Sequence, residues 1–118
     1  MTPRILVVES ESRARRALRN ILVSAGYEVV VADEDGAASE LQSARPADLV
    51  IADAPAQRFC AGSRVLAVPG GGPDSPSAER LRAQGAQHFL PKPFHRDDLL
   101  AAVRATLAMT PGGLSAHP

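Results

Sequence analysis

Short apolar runs alternate with amphipathic stretches along the chain. Residues 5–8, 27–32, 49–52 and 65–68 form brief, largely uninterrupted apolar runs dominated by Val, Ile, Leu and Ala, and 87–90 (Gln-His-Phe-Leu) reads as a fifth strand. Runs of this kind read as parallel strands covered on both faces, because a strand with one wet face alternates apolar with polar residues. Between the first two runs, Ala14, Ala17, Leu18, Ile21, Leu22 and Ala25 recur at helical spacing over residues 12–25, with Gly26 as a C-cap. A shorter helix is predicted over residues 37–44. The turn-rich Asp33-Glu34-Asp35-Gly36 precedes it, and Pro46 ends it by disfavouring helical geometry at Arg45. Ser75-Pro76 combines an N-cap with proline at the first helical position, opening a helix that Gly85 terminates. The last helix spans residues 96–109, with Leu99, Leu100, Val103 and Leu107 inward. Asp97 and Asp98 sit in its first turn, where they suit the helix dipole. Strand and helix alternating about five times predict a doubly wound α/β domain.

One connection breaks the alternation. Eleven residues, 54–64, separate Asp53 from Val65, whereas a parallel crossover with its helix takes about 10–12 residues at the least. They include Pro55, Gly62 and few helix formers, so the third helix is expected to be shortened or missing. A loop or single turn there would expose one sheet face more than usual, partly covered by Phe59 or Cys60. Residues 1–109 make up the domain; 110–118, rich in Gly, Pro and Ser, are expected to be a disordered tail or the start of a linker.

Composition narrows the class. A chain of 118 residues suits one hydrophobic core, and with four aromatic residues that core must be aliphatic. Thirteen basic residues balance thirteen acidic ones, which leaves no electrostatic footprint for direct nucleic-acid binding. The lone Cys60 cannot form an internal disulfide, which fits a reducing compartment. No apolar run approaches the ~18 residues of a membrane helix, and a cytoplasmic location away from membranes is expected.

The candidate chemistry lies where the apolar runs end. Asp53 closes the run 49–52, and Glu9-Ser10-Glu11 follows the run 5–8. In open α/β sheets ligands bind at the carboxyl ends of strands, near the point where strand order reverses. Acids from two strand ends therefore converge at one edge, and Lys92, after the last apolar run, reaches the same edge. Carboxylates plus one lysine suit a phosphoryl and metal site. Gly70-Gly71-Gly72 follows the fourth strand and could cradle an anion, but it lacks the lysine and spacing of a P-loop. His88, His95 and His117 have no metal-ligand spacing, Cys60 has no base near it in sequence, and Arg13, Arg15, Arg16 and Arg19 belong to the solvent side of the first helix.

Four stretches, in this order, resemble the receiver domain of two-component response regulators: Ile5-Leu6-Val7-Val8-Glu9-Ser10-Glu11, Gly26-Tyr27-Glu28-Val29, Pro46-Ala47-Asp48-Leu49-Val50-Ile51-Ala52-Asp53 and Gly85-Ala86-Gln87-His88-Phe89-Leu90-Pro91-Lys92-Pro93-Phe94. The resemblance covers roughly residues 4–107. It implies a flavodoxin-like fold with strand order 2-1-3-4-5. It also implies phosphorylation of Asp53 by a histidine kinase or phosphotransfer protein, with Mg²⁺ held by Glu9 and Asp53 and with Lys92 on the phosphate. Phe89 matches the switch aromatic, and Lys92-Pro93 a peptide bond that is usually cis. Such a domain is not itself an enzyme, and it often forms a homodimer through the face around its last two helices.

Two positions depart from the pattern. Ser10 stands where a metal-binding aspartate is expected, and a neutral hydroxyl is a poorer Mg²⁺ ligand; Glu11 is the one neighbouring acid that could reach in. Pro69 stands where a Thr or Ser hydroxyl contacts the phosphoryl group and couples it to the switch aromatic. Asp53 and Lys92 favour a working phosphoacceptor. Ser10, Pro69 and the short crossover favour a pseudo-receiver, the same fold used as an unphosphorylated protein-interaction module. A small anion- or nucleotide-binding α/β protein, built on the glycine run, is a third reading.

Overall fold

The computed structural model describes residues 2–53, 62–69, 78–83 and 85–109. Five parallel strands, β1 (Arg4–Val8), β2 (Glu28–Ala32), β3 (Leu49–Ala52), β4 (Arg64–Ala67) and β5 (His88–Phe89), form one sheet in the order β2-β1-β3-β4-β5. Four helices occur among the described residues: α1 (Ser12–Ser24), α2 (Asp35–Ala44), α3 (Ala78–Ala83) and α4 (Arg96–Leu107). The strand order is the one the resemblance implies. It reverses between β1 and β3, which sets a crevice at their carboxyl ends.

The two-residue period of the strands divides the core. Ile5, Val7, Leu49, Ile51, Leu66 and Val68 pack with Leu18 and Leu22 of α1 and with Leu99 and Val103 of α4. Leu6, Val8, Val50, Ala52, Val65 and Ala67 pack on the other side with Ala38 and Leu41 of α2 and Leu81 of α3. The strand interiors are buried: residues 5–8, 49–52 and 65–67 are at most 5% exposed. The α2 and α3 side is lined by Ala38, Ala47, Ala52, Ala67 and Ala86, and small side chains let the layers approach closely. The crossover residues 54–61, with Phe59 and Cys60, lie outside the described residues. So do Gly70-Gly71-Gly72, Ser75-Pro76 and the tail 110–118.

Several boundaries differ from the sequence reading, each for a local reason. Helix α2 begins at Asp35 instead of Ala37, because extended Glu34 acts as N-cap and its carboxylate accepts the Ala37 N–H. Gly36 permits that fold-back, since a Cβ there would lie 2.8 Å from Glu34 Oε1. Strand β5 is reduced to two residues, although Gln87 N still donates to Val65 O and Leu90 N to Ala67 O, so the ladder outruns the strand. Helix α4 ends at Leu107, with Ala108 as C-cap and Met109 N donating to Thr106 O. Gly26 (φ +98°) and Gly85 (φ +111°) adopt the left-handed conformation that ends α1 and α3. None of the helices among the described residues is long and apolar enough to cross a membrane.

A small polar clamp fixes the amino end of the sheet. Buried Ser63 donates its hydroxyl to Ala47 O (2.8 Å) and accepts from Gln42 Nε2 (3.0 Å), while Gln42 Oε1 accepts from Ala47 N (2.7 Å). This ties α2 and the entry to β3 to the residue before β4. Replacing Ser63 by Ala nearly keeps the volume but strands the buried Ala47 carbonyl. We expect a loss of about 1–3 kcal/mol, read as a lower urea midpoint with unchanged slope.

Candidate functional site

The carboxyl edge of the sheet is built by parallel ladders that run slightly past the strands. Val8 of β1 pairs with Ala52 of β3, so the next residues, Glu9 and Asp53, leave adjacent strand ends together. Glu9 N donates to Ala32 O, Val68 N to Ala52 O and Lys92 N to Pro69 O, at 3.0 Å each. The last of these bonds brings Lys92 from beyond β5 to the same edge. The Lys92-Pro93 peptide is cis, as the resemblance implies.

The strongest contact there joins Glu9 and Lys92: Nζ lies 2.8 Å from Oε1. Glu9 is 3% exposed, and its second oxygen, Oε2, accepts the Glu11 N–H at 3.1 Å. Burial pushes the Glu9 carboxyl up. The Lys92 hydrogen bond, the Glu11 amide and the positive charges of Lys92 and Arg15 outweigh it, and the group titrates below its ordinary value of 4.5. Asp53 is exposed at the end of β3, beside this pair.

Other expectations fall differently. Glu11 does not reach into the site. It is the N-cap of α1, and its carboxylate accepts from Arg13 N (3.0 Å) and Ala14 N (2.9 Å), which satisfies two of the helix's free amides. Ser10 is exposed and brings no charge. Arg15, read as a solvent-side residue, turns toward the loop and donates from Nη1 to Glu9 O (2.9 Å) and Ser10 O (3.3 Å). Pro69 is buried, and its carbonyl serves the backbone of Lys92. Phe89 is half-buried against the α2 and α3 side of the core, with the Arg82 guanidinium 5.4 Å from its ring centroid, within cation–π range. Nothing in the sequence pattern marked Arg15 or Arg82. Their partners are a loop carbonyl and a ring from a different element, which no periodicity records.

The implied Mg²⁺ can be tested against this donor set. Mg²⁺ prefers octahedral oxygen ligation, usually through one or two carboxylates and several waters. Here both Glu9 oxygens already accept protein donors, Glu11 caps a helix, and Ser10 is neutral, while Asp53, the other expected ligand, is exposed at the end of β3. No group of three or more His, Cys, Asp or Glu side chains able to hold a metal occurs among the described residues. The residues fit a tightly held Mg²⁺ poorly.

Comparison with known proteins places this architecture. No family model matches the chain. The chemotaxis protein CheY of Bacillus subtilis is 32% identical over 120 residues, covering 91% of this chain and 99% of that protein. The response regulator MprA of Mycobacterium tuberculosis is 31% identical over 121 residues, and the match takes in 93% of this chain but 53% of MprA. Among solved structures, a response regulator receiver domain from Clostridium thermocellum aligns with a TM-score of 0.74 at 22% identity, over 89% of this chain and 94% of that one. A putative response regulator from Chloroflexus aurantiacus aligns with a TM-score of 0.80 at 23% identity, over 92% and 100%. These two structural matches speak for the fold.

The Glu9–Lys92 pair sets an acid limit on stability. Folded Glu9 binds protons less readily than unfolded Glu9, so its contribution is complete above the ordinary value of 4.5 and is lost as pH falls through the lower folded value. Glu9→Gln is expected to cost about 1–3 kcal/mol at pH 7. The gap from wild type should close as pH drops below 4.5, followed by urea unfolding at successive pH values.

Proposed function

We propose a phosphoryl-accepting role for this chain, which belongs to the receiver-domain family of two-component response regulators. The acceptor is Asp53, and the donor is a phosphohistidine on a histidine kinase or phosphotransfer protein. The observation that supports this most directly is the register of Val8 with Ala52, which sets Glu9 and Asp53 on neighbouring strand ends beside Lys92. A carboxylate oxygen of Asp53 attacks phosphorus, the P–N bond breaks, and the imidazole leaves with a proton. Negative charge on the transferred group is offset by the Lys92 ammonium acting as a point charge. The chain is then a substrate of phosphoryl transfer and not an enzyme, working in the cytoplasm, with Mg²⁺ held weakly if it takes part. Relatives such as MprA extend well beyond the matched region, so any output of a longer protein lies outside this reading.

A second reading, the pseudo-receiver, is favoured by the switch elements. Pro69 offers no hydroxyl to a phosphoryl group, and Phe89 is already engaged by Arg82. On that reading the fold presents one fixed surface to a protein partner, with or without phosphate.

The deciding experiment is intact-protein mass after incubation with acetyl phosphate and Mg²⁺, with Asp53→Asn as control. A single adduct that requires Asp53 supports the acceptor role; no adduct on a folded protein favours the interaction module. With the adduct formed, the ring resonances of Phe89 should shift little, because Pro69 cannot relay the new charge. A large shift would contradict that uncoupling.

A further inference from the structure

Strand β2 is an edge of the sheet, with β1 as its one neighbour. Glu28 N donates to Pro3 O at 3.1 Å, and Ala32 O accepts from Glu9 N at 3.0 Å. Backbone groups alternate in direction along a strand. Glu28, Val30 and Ala32 therefore face β1, while Val29 and Val31 turn their N–H and C=O groups outward. Among the described residues nothing pairs with that rim. An unpaired edge is a template for another strand, and here it carries three consecutive valines, residues 29–31.

Beside the rim runs a row of positive charge. Helix α1 holds four arginines and no acid. Arg15, Arg16 and Arg19 line an open groove with Asn20 and with Val31, a large apolar side chain left 37% exposed. Arg15 is held by loop carbonyls. Arg16 and Arg19 are exposed, and their side chains have no partner among the described residues. This row selects what can add to the edge. A second copy pairing antiparallel through β2 would set the two α1 helices side by side on one face, arginines against arginines, and like-charge juxtaposition disfavours it. The acids flanking the rim compete little for the row: Glu28 pairs with Arg4 and Arg45, and Glu34 caps α2.

We infer that β2 receives an extended acidic segment of a partner protein as a sixth strand. Its backbone bonds to Val29 and Val31. Its carboxylates, at alternate positions that share one face of a strand, meet Arg16 and Arg19 beside Val31. Asp33, just beyond β2, limits the paired stretch at that end. The pairing needs neither Asp53 nor a phosphoryl group, so it holds whether or not the chain is an acceptor.

The test is a titration of the isotope-labelled full chain, at low salt, with a blocked octapeptide alternating Glu and Val, read by hydrogen exchange at each amide. Val29 and Val31 should gain protection, while Val30, which faces β1, changes little. The double variant Arg16→Glu, Arg19→Glu should weaken binding about tenfold. Val31→Pro should weaken it by a similar factor, since it removes an outward donor at an edge position that tolerates proline. The same peptide with Lys for Glu should not bind. Contact with α1 that leaves Val29 and Val31 unprotected overturns the inference, as does equal binding of the Lys peptide or no binding at millimolar peptide. Should one variant fail to fold, the other decides, and an unchanged affinity in the folded one is the contrary result.

Discussion

The parallel register of β1 against β2 and β3 is the constraint on which the site depends. With both sheet faces apolar, the strand interiors discriminate weakly between registers, since a slip exchanges one aliphatic side chain for another. The polar ends do the discriminating. At one end Arg4 donates from its backbone to Asp48 Oδ2 (2.8 Å) and pairs through Nη1 with Glu28 (2.6 Å). At the other, Glu9 is tied to Lys92. A slip by one residue would bury Arg4 or expose Glu9 and break pairs at both edges of the sheet. Breaking a buried pair costs more than forming it contributes, because the remaining charge is left uncompensated.

Site and scaffold are thus one electrostatic arrangement. The same pair lies at the carboxyl edge, where strand ends from β1 and β3 meet. Glu9 and Lys92 satisfy each other, Asp53 stays exposed at the next strand end, and the neighbouring loop is braced by Arg15 on two carbonyl oxygens. Against the family pattern, Ser10 stands in place of a carboxylate and Pro69 in place of a hydroxyl. Both lie at strand ends, outside the aliphatic layers of the two core clusters.

That separation follows from how the energy is distributed. The aliphatic layers on either side of the sheet carry the fold, with residues such as Leu6, Val50, Leu66 and Leu99 fully buried. Substitutions at strand ends and loops cost little of that packing, so a functional edge can diverge while the architecture persists.

The sequence by itself determined the class of fold, the existence of five strands and the convergence of Glu9, Asp53 and Lys92 at one edge. Those follow from local runs, helical spacing and the rule that parallel strands end together. It also marked Ser10 and Pro69 as chemically different from their expected types. The tertiary structure decided the rest. It sent Glu11 to the cap of α1, turned Arg15 inward and set Arg82 over Phe89. Each of these depends on distances between residues far apart in the chain, or on competition between partners for one carboxylate. A one-dimensional pattern records which groups are available, and only three-dimensional packing decides which of them meet.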